Sequence, residues 1–144
     1  MSDFSGYTQS GNRTDLERAL TAKGYTQRSI PSPITGAVTA TRTIYGPVIR
    51  YEGREWDGCY LVVSSVSSPV FTLQPQVIVD GTAYDVGKSV STSGVSFTAG
   101  KPFRCHDEQF LGKKVAAGSV LALKMTRTSG TITDPVAEFV TVGG

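Results

Sequence analysis

The most reactive side chains of the chain lie together in residues 104–112, which read RCHDEQFLG. His106 is the only histidine of the protein, Cys105 is one of two cysteines, and Asp107 and Glu108 are adjacent acids. A cysteine beside a histidine suits nucleophilic catalysis, and a histidine with carboxylates suits a metal ion. This segment is therefore the first candidate for an active site.

The spacing within this segment argues against both kinds of chemistry. Successive residues of a strand point to opposite faces, so Cys105 and His106 cannot pair through their side chains while the strand continues. A metal site would need these ligands on a loop together with Cys59, and the sequence has no CxxC pair or other spaced metal motif. We predict a strand that ends at Cys105 and then a polar loop, with Phe110 and Leu111 returning to the core.

Acidic residues also lie close together at Glu52, Glu55 and Asp57, a pattern that would suit glycoside hydrolysis. Because Arg50 and Arg54 lie on the same predicted hairpin, we interpret these acids as solvated cross-strand charges. The patterns GxGxxG, GxxxxGK[ST] and GxSxG are absent from the sequence. The sequence therefore predicts no catalytic residue, no cofactor and no bound metal.

Trp56, the only tryptophan, lies near Tyr51 and Tyr60 in the sequence. Such a group of rings can form a platform on which sugars stack. A lone tryptophan also serves as a core or interface anchor. The sequence leaves both interpretations open.

The elements that would position these residues are predicted to be β-strands. Of the 144 residues, 18% are charged, and the formal net charge is +2. This low charge content, with many Ser, Thr, Gly and Val residues, is typical of a single β-rich domain. The sequence has no basic run suited to phosphates and no apolar run near membrane-spanning length, so we expect no nucleic-acid and no membrane partner. Its start lacks a signal-peptide pattern, so we expect synthesis in the cytoplasm.

The N-terminal region is predicted to differ from the rest of the chain. Residues 1–11 are polar with isolated aromatics, which is typical of a flexible arm. Residues 14–24 predict a short helix, because they begin with a capping box and end in glycine. Residues 28–36 contain two prolines and predict a connector. We therefore divide the chain into an arm, helix and connector (1–35) and a β-sandwich domain (36–144).

The larger region is rich in β-branched residues that alternate with period two. Glycine-containing pairs at 57–58, 80–81, 99–100 and 129–130 predict turns between short strands. The Asp-Gly pair at 80–81 predicts a tight hairpin. Pro75 indicates that its strand lies at a sheet edge or a bulge.

Short, regularly spaced strands without intervening helices predict antiparallel pairing, because parallel strands need long crossovers. Leu121, Leu123 and Met125 share one predicted face, opposite Ala122 and Lys124. We predict an all-β fold, an antiparallel β-sandwich or jelly roll with a short N-terminal helix and a flexible N-terminal arm.

The two cysteines, Cys59 and Cys105, are predicted to be reduced and buried, since the cytoplasm keeps thiols reduced. A disulfide bond between them is possible only if their strands are neighbours.

Two segments resemble small β-sandwich virion proteins of tailed bacteriophages, most of all the head decoration (cement) proteins. They are FTLQPQVIVDGTAYDVG (71–87) and SVLALKMTRTSGTITDPVAEFVTVGG (119–144). In that family a strand-DG-Tyr hairpin is followed late in the chain by a strand ending in RTSGT and by a final Val-rich strand. The resemblance covers the C-terminal half of the chain and includes no catalytic motif.

The resemblance implies a non-enzymatic structural protein on the capsid surface of the virion. Such proteins commonly form homotrimers on the capsid lattice, bind the major capsid protein and bridge neighbouring subunits, with a terminal arm over the shell. Many modest contacts then stabilise the head through multivalency. We expect aromatic, arginine and leucine side chains to make these contacts. The predicted interface residues are Phe4, Tyr7, Leu16, Leu20, Tyr45, Arg50, Tyr51, Arg54 and Trp56.

Two alternative functions follow from the same residues. A carbohydrate- or receptor-binding module of a phage tail or fibre would use Trp56 and the nearby tyrosines as a stacking platform. An enzyme centred on Cys105 and His106 would require a thiol of depressed pKa.

The division of the chain near residue 35 generates a first prediction. Deletion of residues 1–24 is expected to leave a folded sandwich that binds its partner more weakly, because the contacts of the arm and helix are lost. Circular dichroism reports the folding of the variant, and co-sedimentation with capsid shells reports its binding. Unchanged binding by a folded deletion variant would remove the arm from the interface.

Overall fold

The computed structural model describes residues 26–31 and 34–143. The predicted arm (1–11) and helix (14–24) lie outside the described residues. Some of the predicted interface residues lie there too: Phe4, Tyr7, Leu16 and Leu20. Within the described ranges nearly all regular structure is β-strand, so the all-β prediction is confirmed.

The described residues form eleven strands and one 3-10 helix. The strands are β1 (Thr26–Ser29), β2 (Ala37–Val38), β3 (Arg42–Val48), β4 (Arg54–Val62), β5 (Ser65–Val79), β6 (Thr82–Asp85), β7 (Val90–Ser91), β8 (Phe103–Arg104), β9 (Lys114–Val115), β10 (Val120–Thr133) and β11 (Val136–Gly143). The 3-10 helix comprises Glu108–Phe110, between β8 and β9.

These strands form two antiparallel sheets that pack as a β-sandwich, as predicted. In the five-stranded sheet, β4 pairs with β11 on one side and with β8 and β9 on the other, and β1 extends the sheet beyond β11. In the six-stranded sheet, β5 and β10 pair at the centre. There β2 and β3 lie along β10, and β6 and β7 lie along β5.

Strand β1 extends the sandwich upstream of the boundary predicted at residue 36. Its four residues pair with β11, with Ser29 opposite Phe139 and Thr26 opposite Val142. The polar sequence TQRS does not alternate with apolar residues, so it does not indicate a strand. Backbone pairing with β11 holds this edge strand in place. The connector predicted for residues 28–36 therefore begins inside the sheet.

The core lies between the two sheets, and its apolar side chains are almost completely buried. Leu121, Leu123 and Met125 are each 0% exposed and face this core, whereas Lys124 is exposed, so the predicted alternation of β10 is confirmed. Ala122 is also buried, because β3 and β5 lie on either side of its short side chain. Other large core residues are Ile44, Trp56, Leu61, Phe71, Leu73, Phe110, Ile132 and Phe139.

Two of the predicted turns are instead β-bulges inside continuous strands. In β4, Trp56 and Gly58 pair with adjacent residues of β11, which leaves Asp57 as the extra residue. In β10, the register with β5 shifts on both sides of Ser129, and the strand continues to Thr133. A bulge accommodates the same small and polar residues as a turn, so the local sequence does not distinguish the two.

The other two predicted turns have different outcomes. The hairpin at 80–81 is confirmed, because Asp80 and Gly81 both have positive φ and connect β5 directly to β6. The pair at 99–100 forms a turn, but no strand lies immediately before it, so the hairpin predicted there is wrong.

Pro75 lies in β5, an internal strand, and the register with β10 is unbroken beside it. The predicted edge or bulge is therefore wrong. The carbonyl of Pro75 accepts the N–H of Val86 on the outer side of β5, so the missing N–H of Pro75 also faces that side. On that side, β5 pairs with β6 after Pro75 and with β7 before it. Pro75 lies between the two pairings, so no hydrogen bond between strands is lost through its missing N–H.

Two adjacent corners carry the chain between the sheets. Residues 63–64 join β4 to β5, and residues 134–135 join β10 to β11. The Ser64 N–H donates to the Thr133 carbonyl at 2.9 Å, and Ser64 Oγ donates to Asp134 Oδ2 at 3.2 Å. The two strand pairs therefore cross from one sheet to the other together, which closes this end of the sandwich.

The bulge in β10 generates a stability prediction with a matched control. Gly130 has a φ of +70°, and a Cβ there would collide with the carbonyl oxygens of Ser67 and Ser68. Gly81 has a φ of +81° with open space around it. Gly81→Ala is therefore expected to cost about 1 kcal/mol through its backbone alone, and Gly130→Ala about 3 kcal/mol or more. Urea unfolding measures both losses, and equal losses would contradict the close packing at Gly130.

Candidate functional site

The RCHDEQFLG segment contributes to the core through two of its rings. The His106 ring stacks on Phe110 with centroids 4.6 Å apart, and Phe110 contacts Trp56 at 4.5 Å. Tyr60 meets His106 edge-on at 5.6 Å, and Trp56 contacts Phe139 at 6.0 Å. We refer to these five rings as the aromatic row. It connects the loop after β8 to both central strands of the five-stranded sheet.

Polar residues of the same segment hold its backbone in place. Asp107 Oδ1 accepts the Phe110 N–H at 3.2 Å and so caps the 3-10 helix, while Arg104 Nε donates to the His106 carbonyl at 3.0 Å. Phe110 is buried as predicted, but Leu111 is 44% exposed, so the prediction that both return to the core is only half right. Hydrogen bonds within the segment order its backbone around two buried rings, His106 and Phe110.

The geometry of Cys105 and His106 does not match that of a nucleophile and its base. His106 Nδ1 accepts the backbone N–H of Cys59 at 3.1 Å, and burial lowers the pKa of His106. The Cys105 thiol donates to the Phe103 carbonyl at 3.4 Å. Burial, together with the neighbouring Cys59 thiol, raises the pKa of Cys105. A nucleophilic cysteine needs the opposite shift in pKa.

The acidic residues near Trp56 are engaged in separate contacts. Glu55 Oε2 lies 3.6 Å from Lys114 Nζ across β4 and β9, so its cross-strand partner is a lysine of β9 and not one of the arginines of the predicted hairpin. Glu52 Oε1 accepts the Ala117 N–H at 3.3 Å, and Asp57 is exposed at its bulge. Within residues 26–31 and 34–143, no group of three His, Cys, Asp or Glu side chains could hold a metal ion.

Two of the predicted interface residues, Arg54 and Trp56, are each only 1% exposed. Both precede the bulge in β4, and the alternation of the strand directs both inward. Arg54 Nη2 donates to the carbonyl of Thr141 at 2.9 Å and to its Oγ1 at 2.8 Å. These positions correct the prediction that the two side chains contact a partner, and Trp56 cannot serve as a sugar platform.

Two other predicted interface residues, Arg50 and Tyr51, line a groove on one open side of the sandwich, between the edge strands β1 and β3. Tyr45 lies on β3 next to this groove but does not line it. The groove has a volume of about 310 Å³ and is formed by β1, β11 and residues 47–51. The residues that line it are Gln27, Ser29, Pro47, Val48, Ile49, Arg50, Tyr51, Arg54, Phe139 and Thr141.

Several large exposed side chains lie on the segments that form this groove or directly beside them. Tyr45 is 63% exposed, Val48 55% and Tyr51 45%, and Ile30 beside β1 is 63% exposed. Arg50 is exposed as well. We refer to these five residues as the groove surface. Exposed aromatic residues and arginine are the side chains most often found as anchors in protein interfaces, so this surface is the best candidate for a partner.

Gly46 links the groove surface to the aromatic row. A Cβ at Gly46 would touch the ring of Phe139 and the carbonyl of Leu121, so only glycine lets β3 pass this close. Strand β3 therefore rests on one end of the row, and the row sets the position of Tyr45 and Val48 on either side of Gly46.

A second depression, of about 440 Å³, lies on the other open side, between β6 and β9. Tyr84 is 56% exposed there, and Lys113 and Lys114 border it. Its lining contains one aromatic residue and no arginine. This composition is less typical of an interface than that of the groove surface, and Tyr84 is a natural control for Tyr45.

Comparison with known proteins finds no matching family model, no matching curated protein and no matching solved structure. Among the described residues, no helix has the length and apolar character required to cross a membrane. The functional inference therefore depends on the fold and on the groove surface.

The buried histidine generates a prediction about pH. Because burial lowers the folded-state pKa of His106 below its ordinary value of about 6.5, the unfolded chain takes up this proton first as the pH falls. The contribution of neutral, buried His106 to the free energy of unfolding is therefore fully present above about pH 6.5. It decreases as the pH falls from there toward the lower folded-state pKa.

The His106→Gln variant tests this dependence, because its amide nitrogen does not titrate and its oxygen can accept the Cys59 N–H. We expect this variant to lose less unfolding free energy than the wild type between about pH 7 and pH 5.5. Urea unfolding at both pH values provides the measurement. Identical losses in the two proteins would show that His106 does not determine this part of the pH profile.

Proposed function

We propose that this protein is a non-enzymatic structural component of a phage virion, a capsid decoration protein that binds the major capsid protein through the groove surface. The observation that carries the proposal is that Tyr45, Arg50 and Tyr51 are all exposed on β3 and the loop after it, at one edge of a β-sandwich. The resemblance of residues 71–87 and 119–144 to decoration proteins supplies the class of protein. The proposed location is the capsid surface, after synthesis in the host cytoplasm.

The groove surface suits docking because its side chains are carried on backbone that is already ordered. Tyr45 lies in β3, opposite Ala122 of β10, so little backbone entropy is lost when its ring is covered. Each aromatic ring buries a large apolar area and retains a hydroxyl for a hydrogen bond. Arg50 adds a planar group that can donate two hydrogen bonds to a carboxylate of the capsid protein.

The proposed mechanism is mechanical bridging. Three copies associated as a homotrimer would each present one groove surface, so that a single decoration unit contacts several capsid subunits at once. Because the contacts are linked, their combined strength exceeds that of any one contact by orders of magnitude. The arm predicted for residues 1–11 is the second proposed contact with the shell.

The test begins with purified particles from the source of this gene. We expect mass spectrometry to find this protein in a copy number comparable to that of the major capsid protein. Binding of the purified protein to undecorated shells is then compared among wild type, Tyr45→Ala and Arg50→Ala. We expect each variant to bind at least ~10-fold more weakly, the effect of losing one interface anchor.

Tyr84→Ala is the matched control, because Tyr84 is a tyrosine of similar exposure on the other edge of the same sheet. We expect it to bind shells like the wild type. If only Tyr84→Ala bound more weakly, the interface would lie at the depression between β6 and β9 and not at the groove surface. Absence of the protein from purified particles would overturn the proposal.

The alternative is a carbohydrate- or receptor-binding module of a tail or fibre. Trp56 is buried, so the stacking platform of such a module would have to consist of Tyr45 and Tyr51, which are both exposed. A few copies per particle, together with glycan binding that is lost in Tyr45→Ala and Tyr51→Ala, would favour this function over capsid decoration.

A further inference from the structure

The two cysteines lie opposite each other on neighbouring strands. Strand β8 pairs with β4, with Arg104 opposite Tyr60 and Phe103 opposite Leu61. The next position along this register places Cys105 opposite Cys59. The Cys105 N–H donates to the Cys59 carbonyl at 2.9 Å, and the Cys59 N–H donates to His106 Nδ1, so one backbone hydrogen bond holds Cys105 opposite Cys59.

The dimensions of this pairing fit a disulfide bond. Residues opposite each other at a hydrogen-bonded position of an antiparallel pair have Cα atoms about 5.5 Å apart. Disulfides span Cα separations of about 4.4–6.8 Å. Their Cβ atoms are somewhat further apart than the mean for a disulfide, so the strands must approach slightly and the bond stores some strain. Both side chains are 0% exposed, and no third cysteine exists to compete for either of them.

We propose that Cys59 and Cys105 are an oxidation site, at which a low-molecular-weight disulfide such as oxidised glutathione converts the two thiols into an intramolecular disulfide bond. One thiolate attacks a sulfur of the oxidant and forms a mixed disulfide, which releases one glutathione thiol. The second cysteine then attacks the protein sulfur of that mixed disulfide and releases the second glutathione thiol. The two electrons and two protons that the cysteines lose are thus accounted for by the two glutathione molecules.

The structure also indicates how the oxidant reaches buried sulfur atoms. Strand β8 has only two residues and is held to β4 at two register positions on an outer edge of the sheet. Short edge segments open locally at a small fraction of the free energy of global unfolding. If β8 and the adjacent Cys105 detach from β4, the Cys105 thiol becomes exposed and can form the mixed disulfide with the oxidant. When β8 pairs with β4 again, Cys105 returns opposite Cys59, whose thiol can then attack it.

The bond would change the stability of one particular region. It would close a loop that contains residues 60–104, which include all of β5, and it would attach the loop after β8 covalently to β4. That loop supplies His106 and Phe110 to the aromatic row. Oxidation would therefore strengthen the attachment of the row to the sheet.

The test compares wild type with Cys59→Ala and Cys105→Ala in a glutathione buffer poised near −180 mV, with and without prior unfolding and refolding in that buffer. We expect a Cys59–Cys105 link in peptide maps of the monomer and an unfolding temperature roughly 5–10 °C above that of the reduced protein. Neither single variant is expected to show this rise.

Two free thiols in the wild type after both treatments would overturn the proposal. A link found only between two chains would overturn it as well, as would a linked monomer that unfolds at a lower temperature than the reduced form. The refolding arm guards against a negative result caused by slow access, because both thiols are exposed in the unfolded chain. The groove surface contains neither cysteine, so the outcome is independent of the capsid proposal.

Discussion

The packing of Trp56 between Phe110 and Phe139 is the contact on which the rest of the sandwich depends. It joins three parts of the chain that are distant in sequence: β4, the loop after β8, and β11. Each of these rings is at most 1% exposed, so their burial removes a large apolar area from water. The same row ends beneath Gly46, where it supports the edge strand that carries the exposed side chain of Tyr45.

The β-bulge at Asp57 makes this packing possible. In an unbroken strand, residues separated by an odd number of positions face opposite sides. Arg54 and Trp56 precede the bulge, and Cys59 and Leu61 follow it, yet all four are buried. The extra residue changes the phase of β4 and allows both halves of the strand to face the core. The bulge thus determines which rings can meet.

Parts of this structure follow from local sequence, and other parts do not. The hairpin at 80–81 and the buried face of β10 could be predicted, because turn chemistry and alternation act over a few residues. Arg54 is buried, contrary to the interface prediction, whereas Arg50 is exposed, although the two arginines are only four positions apart. The inward direction of Arg54 depends on its pairing with β11, which lies far along the chain. The burial of Phe110 in RCHDEQFLG could be predicted from the sequence, whereas its contact with Trp56 could not, because Trp56 lies in a distant strand.

The way the two corners pair the strands has a consequence for biosynthesis. Strand β4 pairs with β11 and β5 pairs with β10, so each sheet takes one central strand from residues 54–79 and the other from residues 120–143. A nascent chain that has left the ribosome only as far as β9 lacks one of the two central strands of each sheet and cannot close the core. Its apolar strands must wait, exposed to water or to chaperones, until the last two long strands arrive. Completion of this sandwich therefore requires that β10 and β11 have both left the ribosome.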